Sequence, residues 1–360
     1  MALLICTLPS FACTQTLGDG FIFAPLSSGK ALPGTSRDSH ASTLVELKNG
    51  DLMAAWFTGS RERAPDVAIH GARFTNGAWT VPVELARADH VACWNPVLFH
   101  TADGRLWLYY KYGRSPRTWA GARKWSDDEG GTWSAEERLP DGILGPIKDK
   151  PLVLSDGTIV SGSSVEAGSW TAWIERSSDG GKTWTKFGPL NLPENIDTGT
   201  AAATEAPVPA ESHPMFGAVT GIIQPTVVQI EGQHLRFYAR SRSSAGKIAV
   251  SDSMDAGKTW TQPHFIDLPN PNSGIDAVRL QDGRIVLVFN NTPNRRTPLN
   301  LAVSNDGEHF HVFKTLEDEP GEYSYPAIIQ ARNGDLLVTY TWRRETIKFV
   351  RVPLQAIPGD

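Results

Sequence analysis

The chain has 360 residues, 40% of them apolar (Ala, Val, Ile, Leu, Met, Phe, Trp, Tyr, Cys), which is too many for a disordered chain and enough for a substantial core. Thirty-four Lys and Arg stand against 39 Asp and Glu, a formal charge of −5 with no basic run, which argues against a nucleic-acid partner. Three cysteines (Cys6, Cys13, Cys93) cannot form a disulfide scaffold, and no stretch of 18 apolar residues is present to span a membrane as a helix. No zinc-ligand spacing and no glycine-rich loop opening a helix occur, so the sequence calls for neither a metal nor a nucleotide cofactor.

In chain order, residues 1–13 (MALLICTLPSFAC) are apolar and end at a polar break, Thr14-Gln15. They resemble the hydrophobic part of an export signal without the usual basic start. Residues 1–18 are therefore read either as an export signal, placing the protein in the periplasm or outside the cell, or as an apolar extension of a cytoplasmic protein. From there a unit of about fifty residues repeats six times: an apolar strand, a tight turn, a second apolar strand. The turns are Asn49-Gly50, Asp103-Gly104, Asp156-Gly157, Glu231-Gly232, Asp282-Gly283 and Asn333-Gly334, with the glycines 54, 53, 75, 51 and 51 residues apart. Asp-Gly and Asn-Gly between such runs are hairpin signals, because both residues tolerate positive φ. The flanking runs, among them LWLYY (106–110), IVLVFN (285–290) and LLVTYTW (336–342), are rich in β-branched and aromatic residues. No window offers an apolar stripe at helical spacing.

A third strand follows in each unit, and three units then carry S-x-D-x-G-x-T-W: Ser126 to Trp133, Ser177 to Trp184 and Ser253 to Trp260. Its aspartate can accept backbone N–H groups to close a turn, and its tryptophan can fill the space between neighbouring units. Six such units of four strands predict an all-β six-bladed β-propeller over residues 19–360. The last unit lacks a fourth strand, which the segment around Phe21–Ala24 is expected to supply. Residues 191–220 read as a loop insertion on the same face as the site.

The predicted topology sends the starts of the first strands and the ends of the second strands to one face. His40, Trp94, Asn95, Lys148, Gln224 and Tyr323 lie at the former; Arg61, Glu62, Asp66, Lys111, Glu166, Arg240, Arg242, Arg295, Arg296 and Trp342 at or just beyond the latter. This face is mostly cationic on an anionic protein, which suits a small anionic ligand such as a carboxylated sugar, since arginine grips carboxylates bidentately.

These Asp boxes, the six repeats and the segment from Arg61-Glu62 to Asp66 resemble the sialidase (neuraminidase) superfamily, specifically its BNR-repeat, predicted-neuraminidase branch. The resemblance covers about 40–352. It implies an arginine triad for a substrate carboxylate, a tyrosine nucleophile polarised by a glutamate, and an aspartate acid/base. Carried over position by position, Arg61 is a pocket arginine, Asp66 the acid/base, Arg240 the second triad arginine, Arg296 or its neighbour Arg295 the third, and Tyr323 the nucleophile. The sequence departs from that pattern at three places. His40 stands where the first triad arginine is expected, Gln224 where the activating glutamate is expected, and Thr341 where a glutamate steadies the first arginine.

Three functions follow as expectations. The first is an exo-glycosidase on an acidic oligosaccharide, with Asp66 as acid/base, Tyr323 or water attacking, Arg240 and Arg296 as clamp, and Glu62 or Glu166 as second carboxylate; Trp94, Asn95, Lys111 and Lys148 join the substrate-binding set. The second is a lyase eliminating at a uronic acid, with His40 or Tyr323 moving the proton. The third is an acidic-glycan-binding propeller without turnover.

Overall fold

The computed structural model describes residues 19–25, 38–193 and 220–359. The 1–18 segment and residues 194–219 of the insertion lie outside these. Six antiparallel sheets form a ring, a six-bladed β-propeller. Blade 1 runs Asp38–Glu46, Leu52–Gly59 and Ala68–Thr75, with outer pieces Ala78–Trp79 and Val83–Ala86. Blade 2 holds Ala92–His100, Leu106–Gly113, Ala120–Ser126 and Glu137–Arg138. Blade 3 holds Leu152–Val153, Ile159–Val165, Thr171–Ser177 and Thr185–Leu190. Blade 4 holds Gly221–Glu231, His234–Arg242, Lys247–Ser253 and His264–Pro269. Blade 5 holds Asp276–Arg279, Ile285–Asn290, Leu299–Ser304 and His311–Glu317. Blade 6 holds Tyr323–Gln330, Leu336–Trp342 and Thr346–Val352, and its outermost strand is Gly20–Phe21. Ile22 and Phe23, both buried, follow that strand, and Ile22 N–H donates to Ile347 O at 2.9 Å.

The core is divided among the seams between blades. Six apolar clusters each join neighbouring blades, and one of them, with Ile22, Phe23, Trp56, Phe74 and Phe349, joins blade 6 to blade 1. Each blade is thus stabilised by burying both faces against its neighbours, at about 1.5–3 kcal/mol per large apolar side chain. The Asp boxes close the outer hairpins as expected: Asp179 accepts from Ser177 Oγ (2.8 Å), Thr183 N–H (2.9 Å) and Thr183 Oγ1 (2.6 Å). Trp184 then packs edge-on against Tyr109 of the preceding blade.

Two departures from regular strands shape the axis. The innermost strands of blades 1, 2, 4 and 6 each break register by one residue, and at each break a residue takes positive φ: Ala41 (55°), Asn95 (36°), Gln224 (54°) and Tyr325 (49°). These are β-bulges, which re-aim side chains. In blade 3 the innermost strand shrinks to two residues because the preceding segment crosses the axis. Lys148 Nζ donates to Ile275 O and Pro326 O (both 2.7 Å) and to Asp149 Oδ1 (2.6 Å), and Lys150 Nζ reaches Asp276 at 2.9 Å. The Lys148-Asp149-Lys150 run therefore ties blade 3 to blades 5 and 6.

Candidate functional site

Tyr325 is the centre of the site. Its bulge turns it out of the strand alternation, and its hydroxyl oxygen accepts from Arg240 Nη1 at 2.6 Å and from Gln224 Nε2 at 3.3 Å. The His40 ring lies against it with centroids 4.1 Å apart, Lys148 Nζ lies 6.0 Å from its ring centre, and the Arg296 guanidinium 5.8 Å from it. Five of the six blade starts or ends contribute to this cluster.

Tyr323, placed by the sequence at this position, goes elsewhere. It is 1% exposed in the seam between blades 5 and 6, its oxygen accepting from Arg343 at 3.2 and 3.3 Å. Regular alternation puts Tyr323 and Tyr325 on one face; the bulge at Tyr325 separates them and leaves only the second at the axis.

His40 is anchored by Thr341, whose Oγ1 lies 2.8 Å from Nδ1 and also accepts from Ala41 N–H (3.2 Å). Burial, and then the charges of Arg344, Arg296, Arg240 and Lys148, hold the imidazole well below its ordinary pKa, which favours the neutral ring. Those four cations face one point from blades 3 to 6.

Their compensation differs. Arg344, which follows blade 6's second strand, pairs with Glu62 (2.6 Å), Glu322 (3.0 Å) and Asp38 (3.5 Å), and Arg296 pairs with Glu322 at 2.6 Å. Glu62 is thus a partner of Arg344. Arg240 is held by neutral groups: Asn272 Oδ1 (2.8 Å), Tyr325 and Gln224 Oε1 (3.4 Å). It also lies 5.1 Å from the centre of the Trp170 ring, and Arg242 lies 5.9 Å from it. Trp170 is brought in by Gly221, at φ 130°, where a Cβ would come within 1.9 Å of the Trp170 carbonyl oxygen.

Glu166, at the end of blade 3's second strand, completes this side. Its Oε1 is shut off from solvent and has no hydrogen-bond partner among the described residues. Burial pushes its carboxyl up to about 7 against the opposing fields of Arg240 and Arg63. A carboxyl with that pKa carries a proton for a large fraction of the time at neutral pH, the property a proton donor needs.

The other expected residues are placed apart from the cluster. Asp66 is exposed on the turn after blade 1's second strand; burial raises its carboxyl, but hydrogen bonds from Ser60 N–H (2.9 Å) and Ser60 Oγ (2.8 Å) outweigh that and lower it. Arg61 is exposed on the same turn, and Arg295 is exposed before blade 5's third strand. Trp94 is core, 2% exposed, its N–H donating to Gly113 O at 2.9 Å. Asn95 is spent on Ile147 O (3.1 Å). Lys148 has all three N–H groups used on the scaffold, as above. Lys111 is fully buried, donates to Pro146 O, and burial brings its ammonium down to about 7. Sequence reasoning overlooked Tyr325, Arg344, Glu322, Asn272 and Trp170. One signal was available: three bulge residues precede proline, in Asn95-Pro96, Gln224-Pro225 and Tyr325-Pro326, and proline in an inner strand marks a bulge.

A family model described as a BNR repeat-like domain matches residues 50–338. The chain belongs to the BNR repeat-like family. Its propeller has the sialidase fold. It is similar in structure to a protein of unknown function from Dyadobacter fermentans (15% identity, TM-score 0.70, 88% of this chain and 94% of that one). It is similar also to the NanB sialidase of Streptococcus pneumoniae (13%, 0.69, 93% and 73%). The intramolecular trans-sialidase of Ruminococcus gnavus, solved with oseltamivir carboxylate, matches over 94% of this chain and 99% of that one (15%, 0.67). Among curated proteins none matches by sequence. Among the described residues no helix is long and apolar enough to cross a membrane.

Proposed function

We propose that this BNR propeller is an exo-acting glycosidase that removes a terminal acidic sugar, with Tyr325 as the attacking group and Glu166 as the proton carrier. The observation that carries this reading is the Tyr325 oxygen receiving N–H donors from Arg240 (2.6 Å) and Gln224 (3.3 Å); the unpartnered, buried Glu166 Oε1, within the field of the same Arg240, supports it. Arg240 takes the sugar carboxylate, since its present partners are all neutral, and Arg296 and Arg344 add their field. Glu166 gives its proton to the glycosidic oxygen as the bond to the anomeric carbon breaks. The Tyr325 oxygen bonds that carbon and releases its own proton to water in the cavity. Water then attacks the carbon, its proton returns to Glu166, and the tyrosine oxygen leaves and is reprotonated by solvent. The guanidinium N–H 2.6 Å from the tyrosine oxygen faces the negative charge that develops there as it leaves. An export signal in residues 1–18 would bring such an enzyme to extracellular glycans.

A second reading rests on His40, which is in ring contact with Tyr325 and whose burial and surrounding cations favour its neutral form. In a lyase, His40 would take the proton from C5 of a uronic acid, the electron pair would form the C4–C5 double bond, and the leaving oxygen would take a proton from Glu166 or Tyr325. Mass spectrometry after incubation with sialylated, glucuronylated and rhamnosyl-glucuronate oligosaccharides separates the readings. Products that together exceed the substrate by one water support the glycosidase. Products summing to the substrate mass, one of them unsaturated, support the lyase. Saturable binding without products from any member overturns both in favour of a binding propeller.

A further inference from the structure

Arg240 and Arg242 alternate with Ser241 on one strand, so both side chains project to the same face with Cα atoms about 7 Å apart. Both guanidinium groups lie against the single Trp170 ring, at 5.1 and 5.9 Å. Two like charges packed on one half-buried indole repel each other, and the contact with the ring returns only about 1–2 kcal/mol each. Three other partly buried arginines near this face or its seams are neutralised: Arg344 by three carboxylates, Arg296 by Glu322, and Arg236 by Asp252 and Glu308. Among the described residues no carboxylate pairs with Arg242, and its sole side-chain contact of this kind is the Trp170 ring. Burial, followed by the charge of Arg240, lowers its pKa, so the environment disfavours the charge it carries.

Position along the strand separates the two roles. Arg240 points to Tyr325 at the axis, whereas Arg242 lies two residues further toward the end of blade 4's second strand, nearer the mouth. The displacement is on the scale of one sugar ring. Resting on the glycosidase reading, we infer that Trp170 and Arg242 form a second subsite for an anionic group on the sugar next to the one cleaved, so that the preferred substrate is an oligosaccharide with two consecutive acidic residues. Trp170 supplies a ring face for the second sugar, and Arg242 supplies the missing counter-charge for its carboxylate.

The test compares matched disaccharides by isothermal titration calorimetry in low salt: digalacturonate against galacturonyl-galactose, and disialic acid against sialyl-galactose. The full chain is expected to bind the doubly acidic member of each pair roughly ten- to a hundredfold more tightly, the scale of one charge-assisted hydrogen bond. Arg242→Gln should bring each ratio to within about twofold, and Arg242→Lys, which keeps the charge, should retain most of it; melting curves verify that both variants fold. Equal affinities in the unmodified chain, or a ratio that survives Arg242→Gln, would overturn the second subsite while leaving the acidic-sugar reading intact. Failure of all four probes to bind would instead overturn the acidic-sugar reading, and the subsite with it.

Discussion

Tyr325, Glu166 and His40 each owe their chemistry to what surrounds a single side chain. Tyr325→Phe removes the oxygen to which Arg240 and Gln224 donate and keeps the ring, so turnover should fall by about a hundredfold or more. Tyr323→Phe removes only an acceptor for Arg343, and should cost about 1 kcal/mol of stability with activity nearly unchanged. Steady-state kinetics on the substrate found by mass spectrometry compares the two. Glu166→Gln and Asp66→Asn form a second pair: a loss of about a hundredfold is expected for the first and a small effect for the second. With the Glu166 carboxyl at about 7, kcat/KM should decline as pH rises past 7, and Glu166→Gln should lack that limb. The same shift has a stability consequence. Between its ordinary value of 4.5 and about 7, the unfolded chain gives up a proton that the folded chain keeps, so this group lowers stability as pH rises through that window. Glu166→Gln should therefore melt higher than the parent at pH 8 and equal to it at pH 4.

At the scale of the strand, the bulges decide which side chains reach the axis, and their shape depends on close contacts between blades. Gly162, in blade 3's second strand, lies against the bulge of blade 4: a Cβ there would come within 1.8 Å of Pro225 O, next to Gln224. Gly162→Ala must push that bulge away, which should cost about 1–3 kcal/mol or more and lower activity through the Gln224–Tyr325–Arg240 contacts. Chemical denaturation and kinetics on the same preparation read both. The Asp boxes act on pH in the opposite sense from Glu166. Hydrogen bonds from box backbone and hydroxyl groups hold Asp128 and Asp179 at about 2; Asp255 is also held at about 2, slight burial raising it and its hydrogen bonds outweighing that. Their stabilisation is complete above the ordinary value of 3.8 and is lost as pH falls toward 2. Replacing Asp179 with Asn should remove part of this acid-limb dependence in denaturation measured between pH 4.5 and 2.5.

For the whole ring, stability depends on closure. The strand Gly20–Phe21 and the buried Ile22 and Phe23 join a blade made mainly from the C-terminal end to the first blade. Ile22→Ala combined with Phe23→Ala empties that seam and should cost about 5 kcal/mol or more, since each such truncation in a core costs several. A drop in the denaturant midpoint larger than that of a pair of equal size on an exposed strand would establish closure as the reason; an equal drop would refute it. The ring is also what gathers the site. Residues as far apart as His40 and Arg344 meet because the last blade returns to the first, and Lys148 reaches blades 5 and 6 by crossing the axis.

The number of blades, the hairpins, the Asp boxes and the strand that closes the ring are all legible in the sequence, because each rests on local chemistry: a turn pair tolerating positive φ, an aspartate accepting its neighbours' N–H groups, short runs rich in β-branched and aromatic residues. His40, Gln224, Arg240 and Arg296, candidates from the sequence, lie around Tyr325, and Glu166 lies within the field of Arg240, since strand ends in a repeated topology point to one face. Tertiary structure alone decided which tyrosine occupies the axis, because a one-residue bulge inverts the alternation that sequence reading assumes. It alone decided that Trp94, Lys111 and Lys148 belong to the scaffold, because burial is a property of the neighbours and not of the residue. It alone separated the arginines already neutralised by Glu322, Glu62 and Asp38 from those that are not, because these ion pairs form between blades, Arg344 with Glu62 and Asp38 from the far end of the chain and Arg296 with Glu322 from the next blade, and no local pattern records them.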